Sequence, residues 1–360
     1  MNALKYDAGD LSRLLADDIE GVVAKLAIDV KHRVGRKLEC FAPWDSHHKP
    51  KLEIELHPRP GKWNEWIGGL YGDALDLVAC TLGNGTKDRR AAYRWALEYL
   101  GLQGDIDQAA WERRRAQAAA NAAAREAEAT QALERNRRRA KAAWLRARPL
   151  APGDVGWTYL QARGIDLREL PRMPRAVRLA LTEEWWDPAT GSLEHVGPAL
   201  CSAMILADNS FGSLHRVWID PSRAGEKADV DPPRKMWPES MGAAIHLWRG
   251  ASGLSVRQAA EKGLKEPVVV CEGVEDGLSL ALMAPELRII AAGSLPGLLS
   301  LQPPACAERL VIAADNDWGK PQAQALLDRA CARLKGEFGL RVFLARSPEG
   351  KDFNDLLRGA

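Results

Sequence analysis

Three stretches near the C-terminal end decide the fold of this chain: VVVCEG (268–273), RLVIAADND (309–317) and PEGKDFNDLL (348–357). The first two contain short apolar, β-branched runs that end in acids, and the third comes after another such run, Val342 to Ala345. Segments with helical periodicity, Asp276 to Met283 and Gln322 to Leu334, separate the runs. This alternation of strand and helix predicts a parallel sheet with right-handed crossovers.

Acidic residues follow each predicted strand, namely Glu272, Asp276, Asp315, Asp317, Asp352 and Asp355. The carboxyl ends of parallel strands meet at one edge of a sheet, where ligands bind. Several carboxylates in one small site repel each other unless a divalent cation is present. Oxygen ligands without a nearby His or Cys favour Mg²⁺ or Mn²⁺, completed by substrate phosphates. The pattern therefore predicts phosphoryl-transfer chemistry, although each acid taken singly could simply cap a helix.

The same residues resemble a known catalytic family. Glu272-Gly273 after a strand, Asp276 four positions after Glu272, and the Asp315-Asn316-Asp317 triplet are similar to the Toprim domain of bacterial-type primases, topoisomerases and some nucleases. The GKDFNDLL segment (350–357) resembles the form found in phage and plasmid primases, and the resemblance covers residues 263–360.

The Toprim resemblance implies a role for each acid. Glu272 is expected to act as a general acid/base or metal-adjacent carboxylate. Mg²⁺ is expected to be held by Asp276, Asp315, Asp317 and Asp352. Position 354 carries Asn where bacterial primases usually have a second acid. Two alternatives stay open there: weaker binding of one metal ion, or substitution by Asp355, since an amide offers a carbonyl oxygen but no charge.

The segment upstream resembles the core of primases. YLQARGI (159–165) is similar to the YLxxRGI element that opens that core. Ala203 to Trp218 is predicted to form two strands around a turn at Asn209 to Gly212, and Ala243 to Trp248 a further strand. The resemblance implies a basic surface for template and nucleotide, with binding residues Arg163, Arg216, Arg234, Lys235 and Lys351. The alternative is that these cations are ordinary surface charges.

The first hundred residues resemble a primase zinc ribbon that has lost its ligands. APWD (42–45) and EWIG (65–68) occupy the positions of the ligand pairs, and GDALDLV (72–78) matches the segment that comes after the second pair in the family. The nearby Cys and His residues do not form two paired ligand sets, so no zinc is expected. We predict a ribbon-like domain held by Trp44, Trp63, Trp66 and Ile67, with Trp63 and Trp66 as alternative platforms for unpaired bases.

A basic helix is predicted between this domain and the core. The segment from Asp107 to Arg148 is rich in Ala, Arg, Glu and Gln and has no Gly or Pro. From Glu112 to Arg148 it carries eleven Lys or Arg and four acids, whereas the whole chain has a net charge of +2. The helix is expected to be a spacer or arm, with phosphate binding and a merely solvated charged face as its two alternatives.

Together these features predict an α/β protein, α+β overall, with four segments: 1–104 ribbon-like, 105–148 helical linker, 149–262 primase core and 263–360 Toprim. The predicted function is a phage, plasmid or mobile-element DNA primase, with single-stranded DNA template, NTPs and a separate helicase as expected partners. No signal peptide or long apolar run occurs, so no membrane association and a cytoplasmic location are expected. A Toprim nuclease and a non-catalytic single-strand-binding or helicase-loading protein are the alternatives.

Overall fold

The structure, a computed structural model, describes residues 6–45, 50–65, 69–104, 107–187, 190–239, 241–316 and 320–359. The chain divides into two compact units. The first comprises residues 1–133 with 188–192, and the second comprises residues 134–187 with 193–360. The predicted α/β class is confirmed, because helices and two separate sheets occur together. The finer division into four segments stays a prediction.

The first unit contains a five-stranded antiparallel sheet with helices at both ends of its sequence. Its elements are α1 (Ala8–Asp17), α2 (Ile19–Lys25), β1 (Val30–Val34), β2 (Lys37–Cys40), β3 (Leu52–Glu55), β4 (Trp63–Glu65), β5 (Tyr71–Gly72), α3 (Ala74–Leu82) and α4 (Arg89–Tyr99). The strands follow one another in chain order as a meander. Leu11, Leu15 and Leu77 from the helices and Ile54 from the sheet are fully buried in one core.

Tryptophan packing helps to hold this first unit, as predicted for Trp44 and Trp63. Their rings meet edge to face with centroids 5.8 Å apart, and the Trp63 indole N–H donates to the carbonyl of Asp73 at 2.9 Å. Trp63 is only 4% exposed, so it is a core residue and cannot stack on bases in this conformation. Trp66 and Ile67 lie outside the described residues. Burial raises the pKa of the Cys40 thiol to about 12, with further contributions from Asp29 and Glu39.

One long helix, α5 (Gln108–Arg146), confirms the helix predicted between the two parts. Its 39 residues correspond to about 58 Å at 1.5 Å per residue. Its first part belongs to the first unit and its last part to the second. Ala140 is fully buried, and Trp144 donates its indole N–H to the carbonyl of Ala176 at 3.2 Å. The small alanines let this end of the helix pack closely on the second unit's sheet.

The second unit is built on one ten-stranded sheet. Its elements are β6 (Arg148–Pro149), α6 (Val155–Ala162), β7 (Val177–Trp186), β8 (Leu193–Ile205), β9 (Phe211–Trp218), β10 (Arg234–Trp237), β11 (Ala244–Arg249), α7 (Val256–Glu261), β12 (Glu266–Cys271), α8 (Val274–Met283), β13 (Arg288–Ala291), α9 (Leu295–Ser300), β14 (Ala307–Ala314), α10 (Pro321–Phe338), β15 (Arg341–Arg346) and α11 (Phe353–Arg358). The strand order is β10-β9-β8-β11-β13-β12-β14-β15, with β7 also paired to β8 and β6 to β7.

The four strands β13, β12, β14 and β15 are parallel to one another. Three of them confirm the predicted strands, and the flanking helices α8 and α10 confirm the predicted helical segments. Strand β13, a short Arg-Ile-Ile-Ala run, was not predicted. Cys271 at the end of β12 pairs with Ala291 of β13 and Ala313 of β14. The register therefore brings the carboxyl ends of these strands to one edge of the sheet.

Helices cover both faces of the parallel strands. Val269 and Ile289 pack with Leu278 of α8 on one face, whereas Val270 and Leu327 of α10 belong to a core on the other face. Such double coverage explains why the strands are nearly continuous apolar runs. Gly277 brings α8 close to the sheet, because a Cβ there would lie 2.2 Å from a methyl carbon of Leu247.

The predicted hairpin of the upstream core is present, formed by β8 and β9. Its turn has Asn209 at φ 66°, a left-handed conformation that Asn tolerates better than most residues. Strand β11 confirms the strand predicted at Ala243 to Trp248. In the described parts of the chain, no helix combines the length and apolar character needed to cross a bilayer.

Candidate functional site

Three carboxylates converge at the edge where the parallel strands end. One oxygen atom from each of Asp276, Asp315 and Asp352 lies within 4.8 Å of the other two. Within the described ranges, no other group of three His, Cys, Asp or Glu side chains is so close. The structure thus brings together three of the four aspartates expected to hold Mg²⁺. Asp317 lies outside the described residues.

Local structure positions each of the three acids. Asp315 directly follows β14, and Asp276 lies in the first turn of α8. Asp352 is the N-cap of α11, where its carboxylate accepts the backbone N–H groups of Asn354 and Asp355 at 3.0 and 2.9 Å. The N–H of Asn354 also donates to Asp276 at 3.1 Å. Helix capping, the simpler interpretation of Asp352, is therefore correct and compatible with membership of the cluster.

Asn316 attaches the Asp352 segment to the end of β14. Its side-chain amide donates to the carbonyls of Ser347 at 2.9 Å and Gly350 at 3.0 Å. Its backbone N–H donates to the carbonyl of Lys351 at 2.7 Å. Asn316 is 8% exposed, so these bonds are shielded from water. The middle residue of the Asp315-Asn316-Asp317 triplet therefore fixes the distance between the acid before it and Asp352.

The electrostatics of the cluster suit a divalent cation. The pKa of Asp276 is raised to about 8, first by burial and then by repulsion from Asp352, Asp315 and Glu275. Three carboxylates this close repel one another when they are charged, and a bound divalent cation removes that repulsion. Because the donors are all carboxylate oxygens, the set fits hard ions such as Mg²⁺ or Mn²⁺.

Glu272 lies beside the cluster in an ion pair. Its carboxylate accepts from the Arg234 guanidinium at 2.9 Å, and its side chain is 21% exposed. It lines the same cleft as the three aspartates but is not one of the three that lie within 4.8 Å. The geometry is compatible with an acid/base role rather than direct membership of the aspartate group.

A buried network lies behind the aspartates and was missed by the sequence interpretation. The Tyr159 hydroxyl donates to Glu275 at 2.7 Å, and the Lys227 ammonium lies 3.2 Å from the same oxygen. Burial alone would raise the pKa of Glu275, but attraction to Lys227, the Tyr159 hydrogen bond and Arg163 together lower it to about 2. Burial and the neighbouring Glu275 raise the pKa of Tyr159. Glu275 is therefore charged and anchors Lys227 at the cleft.

The acids share an open cleft with several cations. The cleft has a volume of about 380 Å³ and is lined on its basic side by Arg163, Lys227, Arg234, Lys320 and Lys351. Its acidic side is formed by Glu272, Glu275 and the three aspartates. Three of the five predicted nucleotide-binding or nucleic-acid-binding cations are thus at the cleft. Lys227 and Lys320 were not predicted, because neither belongs to a recognisable motif.

The other two predicted cations, Arg216 and Lys235, lie on the opposite face of the sheet. They are cross-strand partners on β9 and β10. Arg216 forms an ion pair with Glu183 at 2.9 Å, and the Lys235 ammonium is 3.5 Å from the centroid of the Trp185 ring. Side chains alternate along a strand, so Arg234 faces the cleft and Lys235 faces away from it. A nucleic-acid role for Arg216 and Lys235 stays a prediction.

The structure also gives Asn354 and Asp355 definite partners. The Asn354 side-chain amide donates to the carbonyl of Arg163 and to the Ser279 hydroxyl. Asp355 accepts the backbone N–H of Lys351 at 2.9 Å and is not part of the aspartate cluster. Asn354 therefore links α11 to Arg163 at the end of α6 and to Ser279 of α8.

Comparison with known proteins found similarity to solved primase structures. The chain resembles the zinc-binding and RNA polymerase domains of the Aquifex aeolicus primase at 15% identity and a TM-score of 0.38, covering 97% of this chain and 82% of that one. It resembles a Pseudomonas aeruginosa DNA primase domain at 15% identity and a TM-score of 0.38, covering 61% and 73%. It resembles the primase fragment of the bacteriophage T7 primase-helicase at 16% identity and a TM-score of 0.34, covering 59% of this chain and 78% of that one.

Family models match two segments of the second unit, and a search of curated proteins gave no match. Residues 134–247 match a domain of unknown function, DUF7146. Residues 267–360 match the Toprim domain. This second match contains β12 to α11 and all three clustered aspartates. The C-terminal part of the chain is therefore a Toprim domain.

Proposed function

We propose that this protein is a DNA primase that makes short primers on single-stranded DNA by Mg²⁺-dependent nucleotidyl transfer. The observation that carries the proposal is the cleft in which three clustered carboxylates face five cations. Nucleotidyl transfer needs both features, because the incoming nucleotide brings a polyphosphate and the reaction develops further negative charge. The Toprim match supports metal-dependent phosphoryl transfer, the broader class that primases share with some nucleases and topoisomerases.

Asp276, Asp315 and Asp352 would hold Mg²⁺ or Mn²⁺, and Asp317 remains a predicted ligand. The bound ion would neutralise phosphate charge and lower the pKa of the attacking hydroxyl. Arg163, Lys227 and the other cleft cations would orient the triphosphate by charge-assisted hydrogen bonds.

Glu272 would accept the proton of the primer 3′-hydroxyl as that oxygen bonds to the α-phosphate and pyrophosphate leaves. The ion pair with Arg234, at 2.9 Å, holds the Glu272 carboxylate at the cleft. Single-stranded template, NTPs, a separate helicase, a cytoplasmic setting and an origin in a mobile element belong to the same proposal.

The test is primer synthesis by the full chain on single-stranded DNA, with labelled ribonucleotides and Mg²⁺ or Mn²⁺. Asp315→Ala should reduce product formation by roughly 100-fold or more, because it removes a metal ligand. Glu337→Gln is the matched control: Glu337 is an exposed acid at the end of α10 and should leave synthesis unchanged.

Three results would count against the proposal. Nicked or shortened DNA without nucleotide incorporation selects a Toprim nuclease that uses water in place of the 3′-hydroxyl. Strand binding without turnover, unaffected by Asp315→Ala, selects a non-catalytic binding or helicase-loading protein. No product on varied templates with either metal rejects the primase assignment.

A further inference from the structure

A second concave site lies in the same unit, away from the carboxylate cleft. It has a volume of about 570 Å³. We call it the arginine pocket, defined by Arg172, Arg175, Arg249 and Arg288 together with the side chains of Trp144, Met173, Ala203, Ile205, Asn209, His246 and Trp248. Its volume is within the range of small-molecule sites, which is about 300–1,000 Å³.

The arginine pocket is distinct from the catalytic cleft. The two cavities share no lining residue. Arg288 is the first residue of β13 and pairs with Arg249 at the end of β11. The carboxylate cleft lies at the other end of β13, beyond Ala291, about 10 Å away along the strand at roughly 3.3 Å per residue. A ligand in one cavity therefore does not occupy the other.

Three of the four arginines of the pocket have no ion pair with an acid among the described residues. No Asp or Glu is among its described lining residues. Arg288 is neutralised by an ion pair with Glu266. Arg172 lies over the Trp248 ring at 4.6 Å and donates to the carbonyl of Gly250, but it has no acidic partner among the described residues.

Arg175 and Arg249 also lack an ion pair within the described parts of the chain. The pKa of the Arg249 guanidinium is lowered, first by partial burial and then by repulsion from Arg175, Arg288 and Arg172. Surface arginines usually have an acid nearby or diverge into solvent, whereas these converge on one cavity. Water screens part of this repulsion, because Arg172, Arg175 and Arg249 are exposed, and a bound anion would reduce it further.

The walls of the pocket add apolar and neutral polar surface. Ala203, Ile205 and Trp144 are among its lining residues. Burial, Arg288 and Arg249 lower the pKa of His246 to about 4, so its imidazole is neutral near pH 7 and can still donate or accept a hydrogen bond. The positive charge at neutral pH therefore comes from the arginines alone.

We propose that the arginine pocket binds the phosphate groups of a nucleotide, either free or within a strand. Planar guanidinium groups make paired hydrogen bonds to phosphate oxygens, which a single-atom halide ion cannot accept. The apolar lining residues supply a contact for the sugar or base. Phosphate binding there rests on the pocket's own charges and does not require the chain to be a polymerase.

The test measures binding to the full chain in the Asp315→Ala background with EDTA, which removes metal-dependent binding at the cleft. Two probes are used separately: a ribose-labelled fluorescent ATP and a fluorescein-labelled single-stranded hexathymidylate. The double variant Arg175→Ala/Arg249→Ala should weaken binding of at least one probe by about tenfold or more, because charge-assisted hydrogen bonds are lost. Loss with ATP alone identifies a free nucleotide, and loss with the oligonucleotide alone identifies a strand.

The matched control is Arg257→Ala/Lys262→Ala, which removes two exposed cations of the same unit outside the pocket. This control should retain wild-type affinity within about twofold. The variant Arg175→Lys/Arg249→Lys should bind with intermediate affinity, because it keeps the positive charges but loses the planar guanidinium groups that donate paired hydrogen bonds. The proposal is overturned if neither probe binds, if the pocket variant binds both probes normally, or if the control loses as much affinity as the pocket variant. Turnover is not measured, so failure of primer synthesis and failure of this binding are separate results.

Discussion

The side-chain amide of Asn354 donates to the backbone carbonyl of Arg163 at 2.9 Å, across 191 positions of the chain. Arg163 is the C-cap of α6, where carbonyls lack helical partners. The same amide donates to the Ser279 hydroxyl of α8 at 3.0 Å. One buried side chain of α11 therefore joins three helices around the carboxylate cluster.

Asn354→Asp should consequently destabilise the protein instead of improving the metal site. A carboxylate cannot donate to the Arg163 carbonyl or the Ser279 hydroxyl, and position 354 is only 3% exposed. We expect a loss of about 2–3 kcal/mol in the free energy of unfolding, measured in urea, since a buried acceptor is left unpaired beside an added charge. Gln322→Glu, the same change on the exposed face of α10, should be nearly neutral. A stability equal to wild type with tighter Mn²⁺ binding would show instead that Asn354 weakens a metal site.

The crowded aspartates predict opposite effects of one substitution with and without metal. Asp276→Asn removes one of three converging charges, so in EDTA at pH 8.5 it should stabilise the protein by about 1 kcal/mol or more. Mg²⁺ should raise the midpoint of thermal unfolding of the wild type by mass action. The variant should show a much smaller rise. Equal shifts for the two proteins, seen by differential scanning fluorimetry, would mean that Mg²⁺ binds elsewhere.

Tyr159→Phe tests the buried network behind the cleft. The change removes the 2.7 Å hydrogen bond to Glu275, a bond to a charged group, and should cost about 1.5–3 kcal/mol of stability. Because Glu275 also anchors Lys227, the KM for nucleotide should rise more than kcat falls. Tyr71→Phe is the matched control, since Tyr71 is 68% exposed. A Tyr159→Phe variant as stable as that control would show that the network does not stabilise the fold.

Two histidines with lowered pKa values, His215 and His246, predict loss of stability in mild acid. Burial lowers the pKa of His215 from 6.5 to about 4, with Arg234, Lys227 and Arg216 acting in the same direction and Glu275 opposing. His246 is similarly lowered to about 4. Below about pH 6.5 the unfolded chain binds protons that the folded chain excludes, so stability falls as pH decreases from about 6.5 to about 4.

The expected loss is about 2 kcal/mol per histidine between pH 7.5 and 5. His246→Gln should reduce the slope of unfolding free energy against pH. An unchanged slope in His246→Gln would show that this imidazole is protonated in the folded state.

The sequence by itself determined the local elements and the acids at their ends. β-branched runs specify β12 and β14, because such residues suit strands covered on both faces. The apolar run of β15 was also predicted, although that strand lies at the sheet edge and its Phe343 and Leu344 are exposed. The absence of Gly and Pro and the abundance of Ala specify α5. Strand β13 escaped prediction because it is only four residues long and begins with an arginine. Its Ile289 and Ile290 were the available signal.

Tertiary structure alone decided which side chains meet. Alternation along β10 requires Arg234 and Lys235 to face opposite ways, but only pairing with β9 decides which of them reaches Glu272. Lys227 reaches Glu275, and Arg175 reaches Arg249, through contacts between segments distant in sequence. Such contacts depend on strand register and side-chain packing, and the energies of both are sums over many residues distant in sequence. Strand and helix preferences, by contrast, are encoded within a few neighbouring positions.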